Sequence, residues 1–157
     1  MADPAMVVVT ARSGERRDGC LVGFHSQCSI EPVRYAVWMS KANLTTEIVL
    51  DCTHLGVHFL TDADHELADL FGSETGDQVD KFSFISSTDG PHGVPTIDDL
   101  PNRFVARRTA VLEDESDHLC VIIEPLDIRA ADSPGSPLRL SAVADLQPGH
   151  VATDRRD

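Results

Sequence analysis

Short runs of β-branched and aromatic residues, each a few residues long and broken by turn residues, recur along nearly the whole chain. They read as strands at Met6–Ala11, Gly19–Phe24, Tyr35–Met39, Val57–Thr61, Lys81–Ile85, Phe104–Leu112, His118–Ile128 and Leu138–Val143. Several alternate, as in Val57-His58-Phe59-Leu60, so one face is aimed at a core and the other at solvent or a ligand. A parallel α/β sheet needs a helix between nearly every pair of strands, and only two helical stretches are visible. One is Asp62–Phe71, with Ala63, Leu67, Leu70 and Phe71 on one face, Thr61 or Asp62 as cap and Gly72 as stop. The other runs from Leu44 to Leu50 behind Asn43 as N-cap, with Ile48, Val49 and Leu50 expected inside. The pattern therefore predicts a mainly β, antiparallel barrel or sandwich.

Length fits one compact domain: 157 residues leave little room for two. Residues 86–103, rich in Gly, Pro, Asp and Ser, read as a surface excursion, and a tail from about residue 146, ending Asp154-Arg155-Arg156-Asp157, is expected to fray. Thirteen Lys and Arg against 26 Asp and Glu give a formal charge of −13. Such a surface repels phosphate backbones and anionic lipid, which argues against nucleic acid and membrane surfaces as partners. No segment approaches the ~20 apolar residues of a membrane span. Asp3 stands where a signal peptide would carry positive charge, so a cytoplasmic location is expected. In that reducing setting Cys20, Cys28, Cys52 and Cys120 read as small buried hydrophobes rather than disulfides.

Familiar catalytic signatures are missing. The glycines never fall as G-x-G-x-x-G, and neither a P-loop nor a G-x-S-x-G elbow occurs. His65-Glu66-Leu67-Ala68-Asp69 opens like a zincin helix but ends in Asp rather than His. His54 and His58 lack a third ligand at suitable spacing, and Glu113-Asp114-Glu115 reads as a solvated hairpin tip. No metal is expected.

Gly19–Pro32, GCLVGFHSQCSIEP, departs from the pattern: a strand runs into small polar residues and an acidic-Pro turn. Backbone N–H groups and short hydroxyls there make a ledge for a planar polar ring. The next strand ends Ser40-Lys41-Ala42-Asn43-Leu44-Thr45 and enters a helix. Hydroxyls, a lysine and a helix N-terminus together suit a phosphate, because free N–H groups and the dipole both favour an anion. An ordinary turn and helix cap explain the same residues without a ligand.

In order along the chain these motifs resemble the flavin reductase-like proteins of the FMN-binding split barrel. Val8-Val9-Thr10 resembles the first strand, Gly19–Pro32 the flavin-binding stretch, and Ser40–Thr45 the phosphate-binding turn. Leu67-Ala68-Asp69-Leu70-Phe71-Gly72 is similar to the Leu-Ala-x-x-Phe helix, Asp80-Lys81-Phe82 to the Lys-Phe motif, and Asp117-His118 to Gly-Asp-His. The resemblance implies a homodimer that binds FMN (or FAD), takes hydride from NAD(P)H, and passes reduced flavin to a partner monooxygenase. It implies that His25, Ser26, Gln27, Cys28 and Ser29 line the isoalloxazine. Ser40, Lys41, Asn43 and Thr45, with Lys81 nearby, would hold the phosphate, and His118 would stand at the reacting face. A tightly bound flavin or deazaflavin acting on another molecule, or a flavin carrier without turnover, are the alternatives. Leu21 and Gly23 stand where the family has Thr and Ser, removing two hydroxyls. Val33 replaces a Pro, and Ser116 the Gly before Asp117-His118.

Overall fold

The computed structural model describes residues 2–73, 76 and 78–146. Among these described residues nine strands are formed: β1 (Val7–Ser13), β2 (Arg16–Val22), β3 (His25–Ser29), β4 (Arg34–Ser40), β5 (His54–Phe59), β6 (Ser87–Asp89), β7 (Pro95–Ile97), β8 (Arg103–Leu112) and β9 (His118–Arg129). Two helices interrupt them, α1 (Leu44–Asp51) and α2 (His65–Ser73). Seven strands make one antiparallel sheet in the order β2-β1-β5-β8-β9-β4-β3, and β6 and β7 pair separately.

This order forces a shape. β2 and β3 lie at opposite ends of the sheet, yet only Gly23 and Phe24 connect them. Two residues reach about 10 Å at most between flanking Cα atoms, so the ends must curl together. Among the described residues no ladder joins them, while Trp38 N–H donates to the Phe24 carbonyl at 2.8 Å and so extends the β3–β4 pairing into the connector. The result is an antiparallel half-barrel with a split between β2 and β4, and the split is where a cleft forms.

The concave face is filled by Val7, Val9, Val37, Met39, Leu55, Val57, Val121 and Ile123, with Ile48 and Val49 of α1 plugging one end. Outside β1, α2 and the 82–100 segment bury a second cluster around Val8, Leu60, Phe71, Phe82 and Ile97. The expected antiparallel barrel with short helices is thus the observed fold, and Asn43 caps α1 by accepting from Thr45 N–H at 2.9 Å.

Several local expectations are corrected. Lys81–Phe84 is a 3-10 turn, because Lys81 and its neighbour Phe82 are both buried, which an alternating strand does not allow, and Asp80 accepts from Phe82 N–H. Leu138–Val143 contributes one isolated bridge, at Arg139, and a 3-10 turn, its Ser141 held by the Asp3 carboxylate through N–H (2.7 Å) and hydroxyl (2.8 Å). The 86–103 excursion contains β6 and β7, and Pro95–Ile97 is buried against the sheet. Helix α2 starts at His65 and runs one residue past Phe71-Gly72, Asp64 accepting from Thr61 N–H before it. Leu50 is exposed on the outer side of α1. Among the cysteines, all free, Cys20 and Cys120 are buried, Cys52 is half-buried and Cys28 is exposed on an edge strand. The tail Asp154–Asp157 lies outside the described residues.

Candidate functional site

At the split lies a cleft of about 280 Å³. One wall is apolar: Leu21, Val22, Gly23 and Phe24, with Leu140 and Val143 approaching from the C-terminal segment. The other end is polar: Ser40 at the close of β4, Asn43 at the cap of α1, and His118 opening β9. Strand pairing brings Ser40 opposite His118, and the N-cap of α1, three residues after Ser40, supplies Asn43. A second hollow of about 250 Å³ shares Trp38 and His118 and continues toward Leu112, Glu113 and Ser116. A larger open groove of about 870 Å³ runs between α2 and residues 83–86, but it contains none of the candidate flavin-contacting residues read from the sequence.

The polar end is organised by its own backbone. Ser40 Oγ accepts from Ala42 N–H (3.3 Å), and the Ser40 carbonyl accepts from Thr46 Oγ1 (2.6 Å) and Asn43 N–H (3.1 Å). His118 Nδ1 lies 2.8 Å from Asp117 Oδ1. A carboxylate only accepts, so Nδ1 carries the proton and Nε2 remains the site of proton exchange. The ring packs 5.3 Å from Phe24. Cys20 also lines the cleft. Burial, opposed by nearby Lys81, pushes its thiol up to about 12, so it is a neutral wall atom rather than a nucleophile.

Of the residues selected in the sequence, Ser40, Asn43 and His118 meet at this cleft. Others are placed elsewhere. His25 sits between the Ala5 carbonyl (Nε2, 2.6 Å) and the Tyr35 hydroxyl (Nδ1, 2.7 Å); the carbonyl fixes the proton on Nε2, so Nδ1 accepts from Tyr35 and both ring nitrogens are used. Ser26, Gln27 and Cys28 are exposed on β3, the outermost strand, with Ser29 partly covered. Lys41 Nζ donates to the Asp114 carbonyl (2.5 Å) and lies 3.3 Å from Glu113. Thr45 and Lys81 are buried behind the cleft. Thr45 Oγ1 donates to Asp18 Oδ2 (2.8 Å), while Lys81 Nζ donates to the Gly19 carbonyl (2.6 Å) and pairs with Asp18 Oδ1 (3.4 Å). A Cβ at Gly76 would collide with the same carboxylate, so the chain there passes too close for any side chain.

A profile of the flavin reductase-like domain matches residues 1–142. This chain belongs to the flavin reductase-like family. Solved structures agree on the fold of this family member. An FMN-binding protein from Thermus thermophilus with bound 1-cyclohex-2-enone is 21% identical, over 87% of this chain and 78% of that one, with a TM-score of 0.77. Nitrilotriacetate monooxygenase component B from Mycobacterium thermoresistibile (17%, 88% and 75%) gives 0.79, and an NADH:FAD oxidoreductase from Streptomyces globisporus (19%, 82% and 77%) gives 0.73. No curated protein matches.

Within the flavin reductase-like fold, the cleft is amphipathic, with an apolar wall at one end and hydroxyl, amide and helix cap at the other. The two hollows that share Trp38 and His118 together reach the lower range of small-molecule sites. Leu21 and Gly23, the two positions where family hydroxyls are missing, are in the wall itself. Sequence reading missed Phe24, Trp38, Leu140 and Val143. Trp38 was legible, since period two places it on the face of Ser40. Leu140 and Val143 arrive from a segment remote in sequence, and no local pattern signals them. His58 is a structural residue, its Nδ1–H donating to the Val8 carbonyl and Nε2 accepting from Ile97 N–H. Among the described residues, no group of three His, Cys, Asp or Glu is placed to hold a metal, and no helix is long and apolar enough to cross a membrane.

Proposed function

We propose that this family member is a flavin reductase that binds FMN, or FAD in its place, and transfers hydride to it from NAD(P)H. The observation that carries the reading is the joining, in one cleft, of an apolar wall to the Ser40–Asn43 turn and His118. A bound flavin supplies a ring that accepts hydride and passes electrons onward. The chain supplies the rest. Leu21–Phe24 give the ring an apolar seat, and Trp38 bounds the space in which a nicotinamide approaches. Ser40 Oγ and the capped start of α1 receive the phosphate end, where N–H groups and dipole favour an anion. His118, its tautomer set by Asp117, holds or delivers a proton at Nε2.

The solvent-facing side of β9-β4-β3 carries exposed Phe24, Trp38 and, from β8, Leu112. A second copy of the chain is the occupant we assign to this face, forming a homodimer with the flavin close to the interface. The likeness to a monooxygenase component B supports reduced flavin being handed to a monooxygenase. A second reading, a resident flavin acting on another small molecule, draws support from the second hollow beside His118.

Oxidation of NADH and NADPH by purified protein under air, with and without FMN, tests the choice. FMN-dependent multiple turnover is expected. Flavin binding without turnover on added FMN moves the assignment to the second reading, and absence of both binding and turnover removes it. A monomer by light scattering at tens of micromolar removes the dimer.

A further inference from the structure

Lys41 does not line the cleft itself, but it stands between two residues that do, following Ser40 directly and preceding the α1 cap Asn43 by two residues. Its ammonium is already engaged. Glu113 Oε1 lies 3.3 Å away, the Asp114 carbonyl accepts at 2.5 Å, and the Lys41 backbone N–H donates to the Asp117 carbonyl at 2.9 Å. All three partners belong to the link between β8 and β9. That link is held in shape by itself: the Asp114 carboxylate accepts from Ser116 N–H (2.9 Å) and Ser116 Oγ (2.6 Å), and Ser116 Oγ also reaches the His118 carbonyl (3.1 Å). The shaped hairpin tip thus brings the Asp114 carbonyl and the Glu113 carboxylate to the lysine that follows Ser40.

Resting on the flavin reading above, we propose that Glu113 competes with the phosphate of an incoming flavin for Lys41, so that flavin is held loosely and exchanges as a substrate. A phosphate dianion and a carboxylate seek the same ammonium, and an ammonium is a point charge that either anion satisfies. The gain from the phosphate–Lys41 contact is reduced by weakening of the Glu113–Lys41 contact, and the carboxylate then stands near a dianion of like charge. Glu113 is mostly exposed, so its release is inexpensive, and the exchange remains near balance. The net negative surface adds to the same tendency. A chain that keeps a flavin resident has no use for a competing carboxylate at its phosphate lysine. One that binds, reduces and releases flavin gains speed of release from it.

The test compares FMN with riboflavin, which shares the ring but lacks the phosphate, by quenching of flavin fluorescence at fixed ionic strength. For Glu113→Gln, FMN is expected to bind roughly three- to fivefold more tightly, with riboflavin unchanged. Lys41→Ala should weaken FMN by roughly tenfold in the Glu113→Gln background but only by about two- to threefold in the native protein, spare riboflavin, and abolish the effect of adding Glu113→Gln. Release of FMN by stopped flow should slow in Glu113→Gln by the same factor as its affinity rises. Equal shifts for the two flavins, or no shift for FMN, overturn the competition while leaving flavin binding intact. If neither flavin binds the unmodified protein, the reductase reading fails and the competition with it.

Discussion

Lys81 lies 3.4 Å from an Asp18 oxygen, and Lys41 lies 3.3 Å from a Glu113 oxygen. By distance the two pairs are equivalent, but their side chains are 1% and 2% exposed in the first and 18% and 58% in the second. The buried pair is surrounded by further bonds: Thr45 donates to Asp18, the Gly19 carbonyl accepts from Lys81, and the Phe71 ring lies 5.9 Å from the ammonium. It ties β2 to α1 and to the 3-10 turn after α2, and both charges are committed. The open pair has water on one side and a cleft nearby. Distance alone does not separate a structural pair from an exchangeable one; burial and the number of supporting bonds do.

That contrast can be broken most directly at Asp18. Asp18→Asn leaves the Lys81 ammonium buried beside a neutral amide, and a loss of about 3–5 kcal/mol in urea unfolding is expected. Asp18→Leu combined with Lys81→Met removes both charges and should recover much of that loss, because hydrophobic replacement of a whole buried pair is often neutral. A cost below about 1 kcal/mol for Asp18→Asn would place the buried pair in the same class as the exposed one.

His58 sharpens the comparison with a buried group that avoids charge altogether. Desolvation brings its imidazole down from 6.5 to about 4, against a small opposing contribution from the Val8 carbonyl. A depressed pKa means that the unfolded chain takes up the proton first. Stability is therefore full above about 6.5 and is lost as pH falls toward 4, after which this group adds no further slope. The total is about 3 kcal/mol at 1.36 kcal/mol per unit. Unfolding free energies measured from pH 7 to 4.5 for the native protein and for His58→Gln should diverge by most of that amount. Parallel curves would show that His58 accepts its proton inside the fold without penalty.

The long, alternating segments were legible in the sequence because pattern and environment agree there: β8 and β9 lie within a residue or so of their expected bounds, and α1 begins where its cap predicts. β3 was not, since His-Ser-Gln-Cys-Ser has no apolar alternation and is a strand only through its pairing with β4. Lys81-Phe82-Ser83-Phe84 alternates in sequence yet turns, because a cap at Asp80 and an anion at Asp18 draw adjacent residues inward. The same anion explains what was misplaced at the site. Ser40, Asn43 and His118 follow from strand ends and a helix cap, which local sequence records. Thr45 and Lys81, read as phosphate contacts, are turned away by Asp18. In Arg16-Arg17-Asp18-Gly19 nothing marks that aspartate as buried, and only the tertiary fold makes it so.

The smallest effect is expected where the exchange hypothesis needs it to be small. Glu113→Gln removes one partner of an exposed pair, and the Asp114 carbonyl continues to hold Lys41. The unfolding free energy should change by less than about 1 kcal/mol, within the range of surface ion pairs. This follows from the position of the carboxylate: a Glu113 that stabilised the fold strongly would resist displacement and could not yield to a phosphate. A cost near that of Asp18→Asn would therefore mark the β8–β9 link as a fixed part of the scaffold and Lys41 as closed to ligands. A negligible cost leaves Lys41 held loosely enough for an arriving anion to take it.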